Sequence, residues 1–93
     1  MSGYVFAGGG YKANFSATAN ISARPVQLLG IFVCAASATP TITVYDSATT
    51  TTTTPILTVF TPIAGTWYPV PVSTTNGLYV VISGTVNCTV VFI

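Results

Sequence analysis

Residues 26–46 constrain this chain more than any other stretch. They read V-Q-L-L-G-I-F-V-C, then the small-residue segment A-A-S-A-T-P, then T-I-T-V-Y-D. In the first run, alternation places Val26, Leu28, Phe32 and Cys34 on one face and Leu29, Ile31 and Val33 on the other. A strand that is apolar on both faces must be covered on both. The second run sets Ile42 and Val44 against Thr41, Thr43 and Tyr45 and needs only one buried face. Two strands joined by a small-residue turn are expected. Their sheet has a doubly buried centre, either inside a β-sandwich or pressed against another subunit. On this reading Phe32→Asp abolishes folding.

The remaining segments are also short and strand-like. Phe15, Ala17, Ala19 and Ile21 alternate with Ser16, Thr18 and Asn20, and Arg24-Pro25 closes that strand. Six threonines at 49–54 carry nothing apolar enough for a core and read as an exposed connection ending at Pro55. Residues 56–60 are a strand and 62–66 a turn. In Trp67-Tyr68-Pro69-Val70-Pro71-Val72 the prolines share a face with Trp67, and Tyr68, Val70 and Val72 share the other. Proline donates no amide hydrogen, so this is an edge strand that resists recruiting another. Thr74-Thr75-Asn76-Gly77 is a turn, and residues 78–82, Ser83-Gly84 and 86–93 read as a hairpin with Val86, Cys88, Val90 and Phe92 on one face.

No window has helical periodicity. The expected fold is all-β: one antiparallel β-sandwich, jelly-roll-like, of seven to eight short strands over residues 13–93. Residues 1–12 form an N-terminal arm in which Tyr4-Val5-Phe6 precedes a Gly8-Gly9-Gly10 joint. That arm is a frayed terminus, or it docks Tyr4 and Phe6 on a neighbouring subunit.

Charge narrows the function classes. Only 3% of the residues are charged, namely Lys12, Arg24 and Asp46, while 51% are hydrophobic and roughly a quarter are Ser or Thr. Two separated basic residues cannot neutralise a row of phosphates, so nucleic acid is not an expected partner. Scant charge also leaves little repulsion between copies, which favours an obligate assembly component over a free monomer. The longest apolar run, 26–36, is too short for a membrane-spanning helix. The N-terminus lacks the basic region and apolar core of a secretory signal, so synthesis in a cytosol without export is expected.

Candidate chemistry is sparse. One carboxylate without a histidine offers no acid–base pair. Asp46 is expected to bond nearby backbone amides. Cys34 and Cys88 have no base to activate them and make no zinc site. Both fall on expected inward faces as buried thiols, with a mutual disulfide as the lesser alternative. No enzyme activity, cofactor or metal is expected. Three glycosylation sequons, at Asn14, Asn20 and Asn87, have no role without export. Trp67, Tyr68, Tyr45 and Tyr79 are expected in a core or a subunit interface, a sugar-stacking platform being the alternative.

The segments L-L-G-I-F-V-C (28–34), P-T-I-T-V-Y-D-S (40–47) and I-L-T-V-F (56–60) resemble those of small virion structural proteins of tailed bacteriophages. The likeness extends over residues 28–93. It implies a capsid decoration, or cement, protein: a small β-sandwich that forms a homotrimer, binds the major capsid protein on the outer capsid surface and stabilises joints between shell subunits. Such a protein is made in the host cytoplasm, ends in the virion, performs no catalysis and contacts neither nucleic acid nor membrane. Tyr4, Phe6, Trp67 and Tyr68 are the candidate interface residues. The alternatives are another virion component (tail, head–tail or fibre-associated) and a carbohydrate-binding β-sandwich module.

Overall fold

The structure, a computed structural model, describes residues 11–93, with Ala38 described through its backbone alone. Six strands form among the described residues: β1 (Tyr11–Phe15), β2 (Ala19–Ser22), β3 (Gln27–Tyr45), β4 (Pro55–Phe60), β5 (Thr66–Ser73) and β6 (Leu78–Phe92). There is no helix among the described residues. Every ladder is antiparallel, and β3 and β6 pair along nearly their whole lengths. The outer side of β6 takes β2 and then β1, and the outer side of β3 takes β5 and then β4. One sheet thus has two four-strand ends, β1-β6-β3-β5 and β2-β6-β3-β4. It curls into an open half-barrel around one shared core.

The curl has a local cause. From Leu28 to Tyr45 the chain of β3 takes 17 steps, whereas its partners from Phe92 to Tyr79 on β6 take 13, so β3 carries four extra residues. They enter at three irregularities, between Leu28 and Gly30, between Val33 and Ala35, and between Ser37 and Thr41. Bulges of this kind bend the strand that carries them and increase its twist. The largest falls in the small-residue segment, where Thr39 adopts a positive φ of 50°. Opposite it Gly84 has φ 84°, and a Cβ there would lie 2.9 Å from Pro40 Cα. Both long strands bend where proline and glycine meet.

This corrects two expectations. The segment 35–40 is not a hairpin turn, and neither is Ser83-Gly84. Each is a bend inside a continuous strand, and the partners are β3 with β6, not each strand with itself. Counting each long strand once on either side of its bend gives eight segments from the six strands. The alternating run that begins at Phe15 is also interrupted. Phe15 ends β1, and a new strand starts at Ala19 on a different stretch of β6. β1 begins at Tyr11, inside the segment assigned to the arm, so Tyr11 and Lys12 belong to the sheet.

The core consists of Leu28, Ile31, Val33, Ile42 and Val44 from β3 and Leu78, Val80, Val86, Cys88 and Val90 from β6, each at most 2% exposed. On β6 the inward residues alternate as expected. On the first half of β3 they do not, because the bulge at Leu29-Gly30 brings Leu28 onto the same face as Ile31 and Val33, while Ile42 and Val44 in the second half are buried as expected. Phe32 and Cys34 point outward instead and are exposed. The expectation that both sit on a buried face fails for this reason, and Phe32 is no core residue. Among the described residues β5 pairs with β3 alone, the edge position its prolines predict.

Candidate interaction surfaces

Residues directly opposite each other on neighbouring strands project to the same face. Asn14, Thr89, Phe32 and Trp67 therefore form one row across the outside of the β1-β6-β3-β5 end, and Lys12, Val91, Gly30 and Pro69 form the next. Phe32 is 39% exposed and Trp67 45%. Gly30 lets the indole lie close, since a Cβ there would sit 2.5 Å from Trp67 Cη2 and 2.6 Å from the Tyr68 carbonyl oxygen. The Asn14 amide borders this apolar strip, donating to Asn87 Oδ1 at 3.0 Å and Thr89 Oγ1 at 2.9 Å. Asn87 returns a bond to Asn14 Oδ1 at 3.1 Å.

Tyr68, next to Trp67 in sequence, faces the other way. It packs against the core, meets the Phe60 ring edge-on at 5.2 Å between centroids, and accepts the Ile63 N–H at its hydroxyl at 3.0 Å. Tyr45 and Tyr79 lie 6.1 Å apart on the opposite end of the sheet. The four aromatics considered as one platform are thus spread over three places. Tyr4 and Phe6 lie outside the described residues.

A second surface is the open seam of the half-barrel. Between β4 and β5, which do not pair, runs a groove of about 350 Å³ lined by Leu57, Val59, Phe60, Tyr68, Pro69 and Val70, with Thr58. Sequence reasoning did not find it, because it joins edge strands whose proximity depends on the curl of β3. Phe32 was likewise misplaced. The one available signal was Gly30 inside an otherwise apolar strand, the residue that marks a bulge or a close approach.

The single carboxylate has a structural task. Asp46 accepts backbone N–H groups from Thr75 (2.8 Å), Asn76 (2.7 Å) and Gly77 (3.2 Å). Slight burial pushes its carboxyl up, but these amides outweigh it and hold the group below its ordinary value. The expected amide contacts exist, yet they lie about thirty residues away in the turn before β6 and not beside Asp46. Behind it, buried Ser47 accepts the N–H groups of Thr49 and Thr51, each at 3.1 Å, and Asn20 donates to the Ser47 and Thr49 carbonyls. The threonine connection is exposed as expected, and it is pinned at its root.

Cys34 and Cys88 are both free, the first exposed and the second buried. Burial, with the neighbouring Cys34 adding to it, pushes the Cys88 thiol up to about 11. No group of three or more His, Cys, Asp or Glu capable of holding a metal occurs among the described residues, and no helix there is long and apolar enough to cross a membrane. Compared with known proteins, the chain matches no family model, no curated protein and no solved structure.

Proposed function

We propose that this chain is a non-enzymatic structural protein of an assembly, and specifically a capsid decoration protein that binds a virion shell as a homo-oligomer and bridges neighbouring shell subunits. The observation that carries this reading is the outer strip of Phe32, Trp67, Val91 and Pro69 on a chain with three charged side chains. Water-exposed aromatics side by side on the outer face of a sheet are the kind of surface that assembly covers. Each square ångström of apolar surface so covered contributes about 25 cal/mol before the cost of association. Many copies on one shell sum such contacts through avidity. The finer architecture that suits the role is a two-layered sandwich in which each four-strand end of the curled sheet supplies one layer. Trp67 and Phe32 join Tyr4 and Phe6 as the interface residues of this reading, while Tyr68 serves the core side of β5.

Cosedimentation with purified virions stripped of their outer proteins tests it. Saturable binding at a fixed ratio to the major shell protein is expected, and Trp67→Ser should weaken it at least tenfold. A chain that stays in the supernatant with every shell offered would sink the reading. A glycan-binding module has one observation in its favour, the exposed indole lying over Gly30. Quenching of Trp67 fluorescence by a soluble oligosaccharide would shift the assignment to it.

A further inference from the structure

We propose that the groove between β4 and β5 is the seat of the N-terminal arm of a second copy of this chain, with Tyr4 and Phe6 in the groove and the arm's backbone added to the free edge of β4. This rests on the self-association in the reading above and not on the identity of the scaffold. Three observations lead to it. First, the curled sheet stops short of closing, and its seam is apolar on both walls: Leu57 and Phe60 on one, Tyr68 and Val70 on the other. Second, the two edges differ. β5 carries Pro69 and Pro71, whereas β4 has no proline after its first residue, Pro55, and offers an unprotected edge. Third, Tyr4-Val5-Phe6 has the pattern an added strand needs, because residues two apart point to the same side.

Reach decides that the occupant comes from another copy. Five steps separate Phe6 from Tyr11, a span of at most about 18 Å. Tyr11 lies in the row of Phe92, Leu28 and Val72, on the far edge of the sheet from β5. Three strand spacings, about 14 Å, and a three-residue offset from Val72 to Pro69, about 10 Å, give a straight line of about 17 Å within the sheet itself. The arm cannot pass through the sheet. The link exceeds that line by only about 1 Å, and a detour over the outer face and round the edge of β5 adds more than that. β1 also begins at the Val72 end of the sheet and not beside positions 68–70. A subunit's own groove is out of reach, while a neighbour's is not. Such contacts are isologous in a reciprocal two-fold pair and heterologous in a closed ring.

The test uses two full-length variants, Phe6→Ser in the arm and Val59→Glu in the groove, and sedimentation velocity. Val59 is 62% exposed, so a wild-type circular-dichroism spectrum is expected from both. Each variant alone should associate at least tenfold more weakly than wild type. Mixing them should restore a one-to-one species, because one partner keeps an intact groove and the other an intact arm. Wild-type association by either variant overturns the proposal, as does a loss that mixing does not repair. Trp67→Ser is the control and should associate normally. If it alone dissociates the protein, self-association belongs to the outer face and the arm has no part in it. Failure to bind shells with complementation intact would remove the decoration role and leave this proposal standing.

Discussion

β3 and β6 run side by side for most of their lengths, yet they are built on different rules. β6 alternates faithfully, with Leu78, Val80, Val86, Cys88 and Val90 inward, and its only departure is Gly84. β3 carries four residues more than the ladder needs. A regular strand and a bulged one, forced into register, must curve, and that curve gathers both ends of the sheet around one core. The strand with the richer apolar pattern is therefore the one that spends part of it on the outside.

The largest effect expected of any single change tests where that pattern turns over. Ile31 is fully buried and Phe32, its neighbour, is not. Ile31→Ala should cost about 3 kcal/mol in urea unfolding. Phe32→Ser should cost about 1 kcal/mol, and Phe32→Asp should still fold, against the expectation from alternation alone. Equal losses at the two positions would mean that the bulge at Gly30 is absent.

Next in size is the tie between the two strands. Asp46 follows the last residue of β3 and holds the amides that precede β6. Asp46→Ala should cost about 2 kcal/mol, as charge-assisted bonds to backbone amides are lost. Because its folded carboxyl lies below the ordinary 3.8, the stabilisation is complete above that value and disappears as pH falls through the lower folded one. Wild type should thus lose stability in acid where Asp46→Asn, already weakened, changes little. Parallel acid curves would assign the loss elsewhere.

Comparable is Gly30→Ala, expected to cost about 2 kcal/mol by overpacking, since the added Cβ meets the Tyr68 backbone carbonyl as well as the indole, and to lift the indole from its bed. A red shift of tryptophan emission reports it, and an unchanged spectrum would contradict the close approach. The mildest probe leaves stability untouched. A thiol reagent should modify Cys34 of β3 in the native protein and reach Cys88 of β6 only after unfolding, since the buried thiol resists ionisation.

The same contrast explains what could be read in advance. The β class, the inward set of β6, the edge position of β5 and the exposed threonine connection all rest on local signals: period two, paired prolines, a run without apolar residues. The face assignments on the first half of β3 failed because period two holds only while no residue is inserted, whereas Ile42 and Val44 beyond the bend are buried as expected; Ala, Ser and Thr at 35–39 announce a turn and a bulge in the same letters. The supposed hairpin at Ser83-Gly84 failed similarly. A glycine with positive φ serves a bend as well as a reversal. The Asp46 cap and the β4–β5 groove join residues distant in sequence, and nothing local marks such meetings.

That both ends of the sheet are cut from the same two strands has a consequence for how the molecule comes apart. The two ends share one core, so loss of either exposes the buried face of the other, and they should melt together. Amide protons at the Tyr79 and Phe92 ends of β6 should therefore exchange with similar, nearly global protection. In the proposed decoration role, a shell clad in such subunits would shed them whole or keep them whole.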